Sequence, residues 1–203
     1  VACGERELIR RVACGSRVPG SRWIARLLAG RERRALAALA RLDGVPRLIE
    51  DQDAALAPAL DGPRPDARDV ILRSFVAGTA LHRAETLPED FFERLEELVR
   101  AVHARGVCHN DLHKEQNVIV GADGWPYLVD LQLASCHRAG TRSFAARVHD
   151  DMRHVAKHRR RYLRFTPSTE ARVIERLPRR SPVALVWRRT AKPLYNFVTR
   201  KLL

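Results

Sequence analysis

Across residues 22–42 the apolar positions Ile24, Leu27, Leu28, Ala35, Leu36, Leu39 and Leu42 recur at intervals of three and four, the spacing that gathers one face of an α-helix. Gly30 weakens the middle of this pattern, and Gly44 with Pro46 ends it. The stretch 61–69, DGPRPDARD, is polar and rich in turn formers, so the short apolar runs 45–49 and 70–76 on either side are expected as strands. A second helix is expected to open at Pro88, with Glu89 and Asp90 in its first turn, where the helix dipole favours anions. Phe91, Phe92, Leu95, Leu98, Val99 and Val102 line one face of it, and Gly106 closes it. Two short strands follow, 117–120 and 127–129, joined by the turn GADGWP. Strands at the front and helices behind predict an α+β fold.

Length adds a bound: 203 residues and 23.0 kDa suit one compact domain, or a small domain with an incomplete neighbour. The longest apolar run, 54–60, has 7 residues and contains Pro58, short of the roughly 18 that a membrane-spanning helix needs. No basic leader followed by an apolar stretch opens the sequence at Val1, so no secretory signal is expected and a trimmed or partial chain is. Cys3, Cys14, Cys108 and Cys136 form no C-x-x-C pair and have no zinc-like spacing to histidines. They are expected as free thiols, in keeping with a reducing compartment and a cytoplasmic location.

The position of the charge changes the picture more than its size. The whole chain carries +13, yet residues 138–203 alone hold 18 Lys and Arg against 4 Asp and Glu, which leaves the body nearly neutral. Such a block suits phosphate-bearing partners: anionic lipid, an acidic glycolipid or nucleic acid. Its last part, 182–203, mixes Trp187, Tyr195 and Phe197 with Arg188, Arg189, Lys192, Arg200 and Lys201. One reading is an interfacial helix on an anionic membrane leaflet; the other is a terminal helix packed on the body. Arg159, Arg160 and Arg161 beside His158 are a further basic run suited to a phosphorylated acceptor. No recognition helix or aromatic platform accompanies these charges, which places nucleic-acid binding last.

The chemistry concentrates in residues 109–132, where HNDLHKEQN is followed by a strand, a turn, a second strand and DLQ. Phosphoryl transfer asks little covalent chemistry of a protein; it needs a carboxylate at the attacking hydroxyl and oxygen ligands that hold Mg²⁺ against the phosphates. An Asp and an Asn on one loop, with a second Asp after the following hairpin, can supply these.

On these residues the chain resembles the protein-kinase-like superfamily, whose loops read H-R-D-x-x-x-x-N and D-F-G. The resemblance implies a two-lobe fold that uses ATP and Mg²⁺. Asp111 would orient or deprotonate the acceptor hydroxyl, Asn117 and Asp130 would hold the metal, and His109 would support the loop. Five residues rather than four separate Asp111 from Asn117, so Gln116 is an alternative metal ligand, and Gln132 stands where the superfamily has glycine. Both departures are similar to a bacterial branch of RIO-type and lipopolysaccharide core kinases. Lys114 would contact the transferring phosphate or stand solvated at the surface, and His113 lies on the acceptor side. Asp150 or Asp151 would brace the catalytic loop, or the pair would cap a helix.

The front half matches less. The superfamily pairs a strand lysine with a helix glutamate; Glu32 fits the second, but no lysine precedes Lys114, and Arg11 is the nearest substitute. Gly4, Gly15 and Gly20 make no G-x-G-x-x-G. Ser74, Phe75 and Val76 would face the adenine. The implied layout is a reduced N-lobe over 1–76, a short helical C-lobe over 77–165, and a basic segment over 166–203. The short lobe favours a sugar or lipid-linked acceptor over a protein Ser or Thr. The competing function is a scaffold that keeps the fold without catalysis.

Overall fold

The computed structural model describes residues 2–3, 6–14, 19–51, 65–138 and 140–163. The basic segment 166–203, the membrane-facing reading of 182–203 and the apolar run 54–60 lie outside the described residues.

Strands β1 (Ala2–Cys3), β2 (Arg6–Val12) and β3 (Val70–Ser74) form an antiparallel sheet in the order β1-β2-β3, with Ile9 opposite Arg73 and Arg11 opposite Ile71. Neither β1 nor β2 was expected. RELIRRV alternates, but its charged residues fall on both faces and hide the two-residue period. Helix α1 (Ser21–Ala38) packs beside this sheet, and salt bridges from Arg22 and Arg26 to the buried Asp69 tie its first half there. Those two guanidiniums hold the Asp69 carboxyl down to about 2, chiefly through the Arg26 hydrogen bond.

Several expected boundaries shift. The first helix stops at Ala38 instead of continuing to 42, because the chain turns through Arg41 at φ 65°, with Leu42 N–H donating to Leu39 C=O. Run 45–49 is not a strand: Pro46 has no N–H to give a ladder, and only Leu48 bridges, to Arg73. The next run ends as a strand at Ser74. The second helix, α2 (Phe91–Ala104), begins after Pro88, Glu89 and Asp90, so none of the three stands in its first turn. Pro88 instead accepts the Phe91 N–H, which starts the helix from outside.

Short strand β4 (Gly78–Ala80) pairs with β6 (Val118–Gly121), which pairs in turn with β7 (Pro126–Leu128), while β5 (Val107–Cys108) pairs with β8 (Ser135–Cys136). The β6–β7 hairpin sits within one residue of its expected place. The last described helix, α3 (Arg142–Leu163), starts eight residues before Asp150, so the two aspartates are interior to it and cap nothing. Cys14, Cys108 and Cys136 are free thiols.

One core joins these parts. Leu36 within α1 and Leu39 just after it, Phe91 and Leu95 of α2, Leu128 of β7 and Leu131 are each no more than 2% exposed and belong to a single cluster that also includes Val155 of α3. Phe91 is the largest of the fully buried side chains among the described residues. Phe91→Ala should lower stability by about 3–5 kcal/mol, read as a drop in denaturant midpoint with an unchanged slope; a change below ~1 kcal/mol would contradict the packing described.

Candidate active site

The loop between β5 and the 3₁₀ turn Glu115–Asn117 carries Asp111, and one residue of α3 fixes its backbone. Asp151, 1% exposed, accepts from His109 N–H at 2.8 Å through Oδ2 and from Asn110 N–H at 2.9 Å through Oδ1. His103 Nε2 of α2 lies 3.1 Å from Oδ2, so both oxygens are committed. Asn110 needs this hold because its φ is 63°, a left-handed conformation that costs energy in a residue other than glycine. Its side-chain amide adds bonds to Leu133 C=O at 2.7 Å and Ser135 Oγ at 2.9 Å, and Arg147 donates to its Oδ1 at 3.0 Å.

His109 joins the two functional loops. Its Nδ1 accepts the Asp111 N–H at 3.3 Å, which assigns the proton to Nε2, and Nε2 donates to Val129 C=O at 2.9 Å, one residue before Asp130. Val129 N–H donates in turn to Asn117 C=O at 3.0 Å. Asp111, Asn117 and Asp130 are thus brought together by backbone bonds that depend on none of their own carboxylates.

Asn117 is buried and its Nδ2 donates to Asp111 C=O at 3.0 Å and Asp111 Oδ2 at 3.1 Å, which leaves its Oδ1 as the free polar atom. Gln116, by contrast, is exposed and makes no contact of this kind among the described residues. Asp130 is held at φ 62°, with Gln132 Nε2 donating to its Oδ1 at 2.8 Å. Gln132 therefore steadies the Asp130 carboxylate at the position where the sequence departs from D-F-G.

Lys114 Nζ stands 2.8 Å from Asp111 Oδ2 and His113 Nδ1 stands 2.9 Å from Oδ1. Burial pushes the Asp111 carboxyl up, but these two neighbours outweigh it and its pKa lies below the ordinary 3.8. The ring of His113 is 5.9 Å from that of His154, which burial pushes down to about 4, a neutral imidazole at physiological pH. Of the basic run on α3, Arg159 pairs with Glu93 and Arg161 with Glu115, both at 2.5 Å, while His158 is buried against Leu112 C=O. Those three are engaged within the fold.

On the front side, Arg11 of β2 donates from Nη1 to Glu32 Oε2 of α1 at 2.5 Å and lies 3.8 Å from Asp130 Oδ1. Burial raises the Glu32 carboxyl above its usual range, opposed by Arg11 and Arg73. Arg73 was missed from the sequence; the available signal was a lone charge in the apolar run ILRSF, at the same strand parity as Ile71. The N–H groups of Ser74 and Phe75 are already taken, by Arg47 C=O at 2.9 Å and Glu7 C=O at 3.0 Å. Neither N–H is therefore free to serve a base. A cavity of about 450 Å³ flanks this segment, lined by Ser74–Ala77 together with Val45 and Tyr127, and it contains none of Asp111, Asn117 or Asp130.

A second cluster, His103, Cys108 and Asp151, has ligand atoms within 4.8 Å of one another. It does not fit a metal: both Asp151 oxygens serve the loop, and burial pushes the Cys108 thiol up to about 12.

Residues 5–141, more than half of the chain, match the phosphotransferase enzyme family, APH. The chain belongs to this family, whose fold is kinase-like and whose chemistry is phosphoryl transfer. A search of curated proteins found no match.

Two outcomes follow. Asp151→Ala strips the acceptor from two buried amides and should cost roughly 1–3 kcal/mol per group left unpaired, measured by denaturant unfolding. Asp111, whose folded pKa is depressed, adds stability that is fully present above 3.8 and is lost as pH falls through its lower folded value. Asp111→Asn should therefore flatten the acid limb of the stability curve below about pH 5; an unchanged slope would contradict the pairing with Lys114 and His113.

Proposed function

We propose that the protein is an ATP-dependent kinase that phosphorylates a hydroxyl of a sugar or lipopolysaccharide-type glycolipid, in the manner of RIO-type and lipopolysaccharide core kinases. The observation that carries this reading is the junction of Asp111, Asn117 and Asp130 through His109 and Val129.

The donor set suits Mg²⁺. It consists of hard oxygens: the Asn117 Oδ1 that remains after Nδ2 is spent on Asp111, and the part-exposed Asp130 carboxylate. When bound, Mg²⁺ would supply charge neutralisation to the phosphates. Asp111 accepts the hydrogen bond of the acceptor hydroxyl and orients its oxygen; with a depressed pKa it positions more than it abstracts. Lys114, on Asp111 Oδ2, provides a cation beside the reacting oxygens. Arg11 stands in for the strand lysine, held by Glu32 and directed toward Asp130. The amide of Val76, one residue beyond those already bonded, is the remaining hinge donor for adenine. The basic C-terminal third would hold an anionic glycolipid or the inner face of a cell membrane, in keeping with a protein that works in the cytoplasm.

The test is transfer of labelled phosphate from ATP, with Mg²⁺, to a lipopolysaccharide core preparation and to a generic Ser/Thr protein. Label is expected in the glycolipid, with kcat lowered about 10²–10⁴-fold by Asp111→Asn while nucleotide affinity is kept. Label in the protein would replace the acceptor. Absence of any transfer would leave the catalytically silent scaffold, and transfer undiminished by Asp111→Asn would overturn the role of Asp111.

A further inference from the structure

The carboxylate of Asp111 is covered. The residue is 2% exposed, and its Oδ2 takes the Asn117 amide at 3.1 Å and stands 2.8 Å from Lys114 Nζ. Its Oδ1 is buried as well, with His113 Nδ1 2.9 Å away, yet no donor among the described residues makes a hydrogen bond to it. The His113 side chain is 40% exposed, so its ring stands on the solvent side of Oδ1. An acceptor hydroxyl that bonds Oδ1 therefore takes the place of His113. The exchange favours the hydroxyl, because a buried carboxylate oxygen without a hydrogen bond costs free energy that an aligned O–H recovers.

His113 has a second partner within reach. Its ring centre lies 5.9 Å from that of His154, on the helix α3 that also carries Asp151. His154 Nδ1 is buried and has no hydrogen-bond partner among the described residues. Burial keeps this ring neutral even beside Asp151, with Arg153 and His158 adding to the effect, so a second imidazole can bond it without charge repulsion. A hydrogen bond between two imidazoles sets their centres roughly 5 Å apart, the donor–acceptor distance plus two ring radii. The gap to be closed is about 1 Å, within one change of side-chain rotamer.

We propose that His113 is a gate over Asp111 and that His154 is the positioning residue that receives it: acceptor binding moves the His113 ring off Asp111 Oδ1 and onto His154 Nδ1. Two buried polar atoms left without hydrogen bonds in the resting protein are then bonded together in the acceptor complex. This rests on the reading of Asp111 as the residue that orients the acceptor hydroxyl. In the closed position the same ring keeps water off Asp111 until an acceptor arrives.

Two experiments on the full chain test this. The first needs no activity: nitrogen NMR of protein labelled in its histidine rings. Asp111→Ala removes the carboxylate beside His113, and the His154 Nδ1 resonance should move from the position of an unbonded nitrogen to that of a hydrogen-bonded one. Adding His113→Ala should return it to the wild-type position. A His154 resonance that Asp111→Ala does not move would overturn the proposal; should that variant fail to fold, Asp111→Asn takes its place with the same expectation. The second is steady-state transfer to the lipopolysaccharide core preparation. His154→Phe keeps a flat ring and removes the unpaired nitrogen, so melts should show unchanged or raised stability. Its acceptor KM should nevertheless rise about three- to tenfold, the scale of one hydrogen bond, with kcat and the KM for Mg·ATP kept. In a His113→Ala background, His154→Phe should change nothing further. An equal rise in both backgrounds would show that His154 acts on the acceptor or the fold directly, and would overturn the proposal, as would a wild-type KM in His154→Phe. If the wild type transfers no phosphate, the functional reading fails while the nitrogen spectra still decide whether His113 moves to His154.

Discussion

The carboxylate of Asp151 is the point on which the site depends. It gathers two successive amides of the loop that carries Asp111 and a histidine of α2, and it does so from α3, an element remote in sequence. Without that acceptor the His109 and Asn110 N–H groups would lose their partner, and the positive φ of Asn110 would rest on its side-chain bonds to Leu133, Ser135 and Arg147 alone. The same interaction joins α2, α3 and the loop of Asp111, so that packing of Phe91 and Val155 in the core and placement of the buried Asp111 are parts of one arrangement.

From this brace the order passes outward through His109. One imidazole takes the Asp111 amide and gives its proton to Val129, which links the loop of Asp111 to the loop of Asp130. Asn117 then spends its amide on Asp111 and keeps its oxygen. The front of the cleft is organised on another principle. There, strand parity sets Arg11 and Arg73 on one face, and α1, tied to the sheet by Asp69, brings Glu32 between them.

Legibility in the sequence followed the strength of local signals. The face of α2 and the β6–β7 hairpin were readable because their apolar residues keep a clean period and their turn is rich in Gly and Asp. Asp111, Asn117 and Asp130 were readable because a loop with fixed spacing concentrates the chemistry. Strand β2 was not, since its arginines and glutamate mask the alternation, and the same charge content hid the start of α3. Arg73 lay outside any motif: its place beside Glu32 arises from a register between strands some sixty residues apart, which no local window contains. Asp151 could be named as a candidate brace, but a pair of acids does not by itself reveal whether it caps a helix or reaches from its interior.

The proposed function requires Asn117 and Asp130 to form an oxygen site that holds a divalent ion together with nucleotide. Electron paramagnetic resonance with Mn²⁺ in place of Mg²⁺ reads this directly. ATP is expected to increase Mn²⁺ binding by the wild-type chain, with the effect lost in Asp130→Ala and kept in Gln116→Ala. Mn²⁺ and ATP binding unaffected by Asp130→Ala would contradict it.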